Sequence, residues 1–260
     1  MAWATAPVSE RRGSKVNVLI LGANGQLGPH VVRALESEHR LRLTDVNDLE
    51  SSPHEYVKVD AGNLEQVEAV AEGMDAIVNL SVLRPDRQIA FDVNARGCYN
   101  AMAAAVRHGI HRVINTGPHF TIAGPTYEWF DYAINPDIPP QSGTGLYALT
   151  KSLGQEICRV FTENHDVHVL TLLFYNFREA DDHSADGQDF TPFSVTWGDA
   201  AEAFRHALRI DLERLPSRCE IFNIFADIPH DRFSSEKAKR ILGWQPTNQL
   251  EQFWRKARPG

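Results

Sequence analysis

Residues 15–28, Lys-Val-Asn-Val-Leu-Ile-Leu-Gly-Ala-Asn-Gly-Gln-Leu-Gly, constrain this chain more than any other stretch. Val16, Val18, Leu19, Ile20 and Leu21 form a short apolar, β-rich run, the pattern of a strand buried on both faces of a parallel sheet. Gly22, Gly25 and Gly28 follow at once, and Val31, Val32 and Leu35 then recur at helical spacing. Strand, glycine turn and helix in that order make a βα unit. Gly22 allows the tight turn, Gly25 the close approach of a pyrophosphate, and Gly28 the packing of helix on strand, with the phosphates at the helix N-terminus. The spacing is G-x-x-G-x-x-G, one residue longer in its first gap than the commoner dinucleotide fingerprint. Such turns also close units that bind nothing. Asp45 adds the second signal, because it ends the next apolar stretch (Leu41, Leu43) about twenty residues into the unit, where a carboxylate accepts hydrogen bonds from an adenosine ribose. A dinucleotide site is expected here.

The same alternation continues. A polar loop (47–55) leads to a strand at 56–59 that ends on Asp60, and Leu64, Val67, Val70 and Ala71 give a helical stripe. Residues 74–80 read as a fourth strand, 91–108 as a helix, 113–115 as a strand, 145–164 as a helix and 167–174 as the next buried strand. This order predicts an α/β fold, a Rossmann-like doubly wound parallel sheet with helices on both faces. From Tyr175 the pattern loosens into a polar loop (176–194), a helix (199–210), a strand (221–225) and a helix (235–242). The expected division is a flexible tail over 1–14, a nucleotide-binding domain over 15–174, and a small substrate lobe over 175–260 fed by the same sheet.

Composition excludes several classes of function. A formal net charge of −8 and no Lys/Arg cluster argue against a nucleic-acid surface. No apolar run approaches membrane-spanning length, and residues 1–15 lack the apolar core of a signal peptide. The three cysteines, Cys98, Cys158 and Cys219, show no metal-ligand spacing and read as buried thiols in a reducing, cytoplasmic compartment. Among the eleven histidines only His165/His168 and Asp182-His183 cluster, and they read as solvated surface, so no metal is expected.

Tyr147-Ala-Leu-Thr-Lys151 is the second decisive stretch. Tyrosine and lysine at i and i+4 share one helix face. An ammonium beside a phenol favours the phenolate and lowers the tyrosine pKa toward that of a working proton-transfer group. The bland alternative is a tyrosine packed on the sheet and a lysine in solvent.

With both stretches in hand, the chain resembles the extended short-chain dehydrogenase/reductase family, which contains the NAD-dependent epimerases and dehydratases. Gly22-Ala-Asn-Gly25-Gln-Leu-Gly28 matches its glycine motif, Asp60-Ala-Gly-Asn63 its adenine-side turn, and Asn94-Ala-Arg-Gly97 its asparagine-glycine helix. Asn79-Leu80-Ser81 falls at the strand end that lines the cofactor, and Tyr147 to Ser152 matches the catalytic helix. Residues 197–203 and 241–246 resemble two further signatures. The resemblance implies NAD as cofactor, held by Gly22, Asn24, Gly25, Gln26, Leu27 and Gly28, with Asp45 on the ribose. Asp60 and Ala61 would lie near adenine, Leu80, Ser81 and Asn94 would line the cleft, and Lys151 would bind the nicotinamide ribose. Tyr147 would be the acid/base. Asp199 is expected to be a helix N-cap.

Two departures from the family matter. Its usual serine pair is replaced by Asn115-Thr116-Gly117-Pro118-His119, which leaves Thr116 as the surviving hydroxyl and His119 as either a donor to substrate or a structural side chain. Leu173 stands where many members carry arginine, while Tyr175 and Asn176 remain as substrate-side candidates. In size and around residues 116–122 the chain is most similar to uronate dehydrogenases. That implies hydride transfer between NAD and a carbon of a small sugar or sugar acid. The alternatives are a nucleotide-sugar epimerase or dehydratase that retains its NAD, and a non-catalytic NAD-binding sensor or scaffold. The family often dimerises through the helices at 91–108 and 145–164, which implies a homodimer. The alanine-rich stretch 101–106 suits either that contact or packing on the sheet.

Overall fold

The computed structural model describes residues 15–49, 51–123, 135–180, 193–228, 233–248 and 250–251. The stretch 1–14, expected as a tail, lies outside the described residues, as do His183 and most of the polar loop that contains it.

Seven parallel strands form the central sheet: β1 (Asn17–Leu21), β2 (Arg40–Asp45), β3 (Glu55–Lys58), β4 (Ala76–Asn79), β5 (Arg112–Pro118), β6 (His168–Phe174) and, after two short strands described below, β9 (Cys219–Asn223). Their order across the sheet is β3-β2-β1-β4-β5-β6-β9. The winding reverses between β1 and β4, and a crevice opens there beyond the carboxyl ends of the strands, where ligands bind in open α/β sheets. The glycine turn follows β1 and Leu80-Ser81 follows β4, so both family stretches meet at the reversal.

Strand β1 shows why the sheet is covered on both sides. Val18 and Ile20 belong to a core shared with α1 (Gly28–Leu35), whereas Leu19 and Leu21 point to a second core containing Val67 and Val70 of α2 (Leu64–Ala71). The second face is completed by α3 (Arg87–Ala90), a π-helical segment (Phe91–Arg96), α4 (Gly97–His108) and, beyond the short α5 (Phe120–Ala123), by α6 (Leu146–Asn164). The 91–108 helix therefore begins four residues earlier than expected, because Asp86 caps it by accepting the Ile89 N–H at 2.9 Å. Ala101, Ala104 and Ala105 of α4 are buried within this chain.

Beyond β6, the short strands β7 (Asn176–Arg178) and β8 (Ser194–Thr196) pair with each other, and α7 (Trp197–Arg209) returns to the face of α1. The cap of α7 is Thr196, whose hydroxyl accepts the Asp199 N–H at 3.1 Å. Asp199 is thus not the N-cap expected of it. Its buried carboxylate instead accepts from Thr247 and Asn248, and Trp244 donates to its carbonyl, which fastens the C-terminal segment to α7. Residues 235–242, expected as an ordinary helix, end in a π-helical turn (Ala238–Leu242). Among the described residues no helix is long and apolar enough to cross a membrane.

Candidate active site

The crevice holds two connected hollows. The smaller, about 120 Å³, is lined by Asn24, Asp45, Val46, Val59, Ala61, Ser81, Val82, Leu83 and Val93. The larger, about 680 Å³, runs from Gly22, Gly25, Gln26, Leu27 and Gly28 past Leu80 and Thr116 to Tyr147 and Lys151. Gly22, Gly25, Leu80, Val82 and Leu83 line both.

The smaller hollow is set by backbone. Gly22 takes a left-handed φ of +80°, and a Cβ on Gly28 would lie 2.0 Å from the Ala23 carbonyl oxygen, so helix and turn meet closer than any side chain permits. Asp45 is buried, with its two carboxylate oxygens each accepting a backbone N–H, from Asn24 and Asn47, both at 3.0 Å. The remaining lone pairs face a hollow walled by Val46, Val59 and Val93, which suits a ribose beside a flat apolar ring. The N-terminus of α1 has no side-chain cap and no acidic residue in its first turn, and it opens on the larger hollow. The Gly28 N–H is taken by the Gly25 carbonyl at 3.0 Å and Pro29 has none, so the helix dipole and the close backbone of the turn are what fit a pyrophosphate there. These residues fit a dinucleotide.

At the other end α6 presents Tyr147 and Lys151 on one face, as their spacing predicts. Lys151 is 2% exposed, and its ammonium donates to the Ser81 carbonyl at 2.9 Å. Burial lowers its pKa, while the buried thiols of Cys98 and Cys158 pull it back up. Tyr147 departs from expectation. Burial pushes its phenol above the ordinary range, and the cation that opposes this is Arg84, not Lys151. The Arg84 guanidinium lies 4.4 Å from the centre of the Tyr147 ring.

Thr116 lines the cavity but lies within β5, which runs three residues past its expected end. Pairing with β6 continues to Pro118 opposite Phe174. The Thr116 hydroxyl donates to the Asn79 carbonyl at 2.9 Å, so its one proton is committed to β4 and is not offered to a substrate oxygen. His119 does not line the cavity. Its ring stacks on Phe193 at 3.5 Å and is edged by Phe120, Tyr175 and Phe233. Burial drives its pKa down to about 3, which keeps it neutral at ordinary pH.

Three other expected residues turn away from the hollows. Asp60 folds its carboxylate onto the Gly62 N–H at 2.8 Å, whereas Ala61 lines the smaller hollow. Asn94 donates to the Leu83 carbonyl at 3.1 Å and to the Thr150 hydroxyl at 3.0 Å, so it ties the loop after β4 to α6 and lines neither hollow. Asn176 donates to the Ser194 hydroxyl at 3.0 Å and joins β7 to β8, whereas Tyr175 does line the cavity. The residues that sequence reasoning missed are Arg84, Phe120, Phe177 and Trp197. Phe177 and Trp197 stack at 4.2 Å, and the family signature that begins at Trp197 was a signal for the second of them. Among the described residues no three His, Cys, Asp or Glu side chains gather as a metal site would need.

The NAD dependent epimerase/dehydratase family matches residues 18–183. The chain belongs to that family. Among curated relatives it is 29% identical over 165 residues to a uronate dehydrogenase of Pseudomonas syringae pv. tomato, covering 60% of this chain and 57% of that protein. The chain thus spans little more than half the length of that relative. It is 24% identical over 250 residues to the L-arabinose 1-dehydrogenase (NAD(P)(+)) of Haloferax volcanii, covering 88% of this chain and 95% of that one. The solved uronate dehydrogenase of Agrobacterium tumefaciens superposes with a TM-score of 0.77 at 22% identity, over 92% of this chain and 87% of that chain. That likeness shows a shared fold. Membership in an NAD-dependent family agrees with a crevice built for a dinucleotide.

Proposed function

We propose that this chain is an NAD-dependent dehydrogenase that oxidises a hydroxyl-bearing carbon of a small sugar or sugar acid, with a hexuronate as the leading substrate. The observation that carries this reading is that Tyr147 and Lys151 share one cavity with the glycine turn. A general base and a dinucleotide cradle thus open on the same volume.

NAD, when bound, supplies the hydride acceptor. Asp45 accepts from the adenosine ribose, and its charge disfavours the 2′-phosphate of NADP. Gln26, Leu27 and Gly28 hold the pyrophosphate. Lys151 donates one N–H to Ser81 and has two left for the nicotinamide ribose. Tyr147 removes the proton of the reacting hydroxyl as the carbon gives up its hydride, and Arg84 eases that step by favouring the phenolate. Phe120, Tyr175, Phe177 and Trp197 present apolar faces to a sugar ring. Oxidation at the anomeric carbon of a hexuronate would give a lactone. The match to the Haloferax volcanii enzyme runs nearly the whole chain and supports a second reading, a neutral sugar as substrate.

Residues beyond 175 form the substrate side of the site in this reading. Two chains pair through α4 and α6, where Tyr99, Leu153 and Val160 leave large apolar side chains exposed. The free cysteines suit a reducing cytoplasm. The test is NADH absorbance with D-glucuronate, L-arabinose and UDP-glucose in turn. NADH formed from a free sugar supports the dehydrogenase. Epimerised UDP-glucose without net NADH, or no reaction by protein with NAD demonstrably bound, would sink it.

A further inference from the structure

The chain has a net charge of −8, yet among the described residues the lining of the cavity in front of Tyr147 contains two cations, Arg84 and Lys151, and no aspartate or glutamate. Lys151 is buried and bonded to the Ser81 carbonyl. Arg84 is different. It is exposed, and among the described residues it pairs with no carboxylate and lies only over the Tyr147 ring. A guanidinium has five N–H donors in a planar fork, and lying over a ring leaves them open.

The backbone around Arg84 is fixed on both sides. The Leu83 carbonyl accepts from Asn94 at 3.1 Å, and Asp86 caps α3 through the Ile89 N–H at 2.9 Å. Pro85 between them locks its own φ. Asn94 also bonds Thr150 on α6, one residue from Lys151, so the loop that presents Arg84 and the helix that presents Tyr147 are tied together. The Arg84 backbone is therefore set beside the helix of the proton-transfer group by bonds that do not involve its charge, and its guanidinium reaches the Tyr147 ring.

We propose that Arg84 determines specificity at this site by pairing with the carboxylate of an acidic sugar whose reacting hydroxyl lies at Tyr147. The proposal rests on the dehydrogenase reading above. The pyrophosphate already has its own receptor, the uncapped N-terminus of α1 at the opposite end of the cavity. A carboxylate is planar, and it matches the guanidinium fork with two parallel hydrogen bonds. A neutral sugar would leave those donors without an acceptor of equal strength.

D-glucuronate and D-glucose differ only at C6, so the ratio of their kcat/KM values with NAD isolates the carboxylate. In Arg84→Gln that ratio is expected to fall about 10- to 100-fold, mainly through KM for glucuronate, as loss of a charge-assisted pair implies. Arg84→Lys should recover part of it. NAD affinity by calorimetry and the melting temperature should stay near wild type. An unchanged ratio in folded Arg84→Gln overturns the proposal, and so does a wild-type preference for glucose or L-arabinose; both leave the dehydrogenase reading intact. A parallel loss of NAD affinity assigns Arg84 to the cofactor and also overturns it. Wild-type protein that forms no NADH from any of these sugars defeats the dehydrogenase reading itself, and this proposal with it.

Discussion

At the Asp45 end of the crevice the groups that set the geometry are backbone, with Gly22 at φ +80° and the Asn24 and Asn47 N–H groups both turned onto the Asp45 carboxylate. At the Tyr147 end they are side chains drawn from separate stretches: Arg84 after β4, Thr116 in β5, Tyr147 and Lys151 on α6, and Tyr175, Phe177 and Trp197 beyond β6. The glycine turn and Asp45 of the first end belong to one βαβ unit, and its walls are completed by Val59, Ala61, Ser81 and Val93. The second exists only once the sheet has closed. Binding is thus written locally and chemistry globally, and substitutions at the two ends should fail in different ways.

The largest effect is expected at the backbone end. Gly28→Ala places a Cβ 2.0 Å from the Ala23 carbonyl oxygen, a clash of backbone with backbone that no rotamer relieves. NAD affinity by calorimetry should fall at least about 100-fold, equivalent to about 2.7 kcal/mol. Gly145→Ala is the matched control, since a Cβ there meets nothing within 4 Å. Equal affinities in the two variants would erase the distinction between the ends.

Asp45→Ala comes next. The carboxylate that would meet the ribose also anchors two backbone N–H groups, so its removal should weaken NAD more than it helps NADP. Wild type should prefer NAD by at least about tenfold, or about 1.4 kcal/mol, and the variant should show little preference. If the variant keeps the wild-type preference, Asp45 does not read the ribose.

Thr116→Val should cost least. Its hydroxyl proton goes to the Asn79 carbonyl, so the loss is one buried hydrogen bond, about 1 kcal/mol of stability by chemical denaturation, with kcat changed severalfold at most. A fall in kcat of about 100-fold or more would mean that the hydroxyl reaches the substrate after all.

The same contrast explains what could be read before the fold was known. The glycine turn, Asp45 and the Tyr147/Lys151 pair depend on spacing within a single βα unit or helix, and all of them line the crevice. The doubly wound parallel sheet follows from the strand–helix alternation for the same reason. Arg84 was not legible, because an arginine before a proline in a polar loop has no local signal, and only the Asn94 bond to Leu83 brings it to Tyr147. The sequence leaves His119 open between a structural and a substrate-facing role, because Phe193 and Phe233, which pack on it, come from more than 70 residues away in the chain. Thr116 was misjudged through its cross-strand neighbour, and Asp199 through partners in the C-terminal segment. In each case the missing information was a long-range contact, which periodicity does not encode.

The central claim is that binding and proton transfer sit at separable ends of one crevice, and Tyr147→Phe tests it most directly. The ring keeps its place against Phe120 and Arg84 while only the hydroxyl is lost. Single-turnover NADH formation and NAD calorimetry should be measured on the same preparation of the variant. The account predicts a fall in turnover of about 10²- to 10⁴-fold with NAD affinity within about twofold of wild type. Turnover that survives the substitution, or NAD affinity that falls in step with it, would contradict the account.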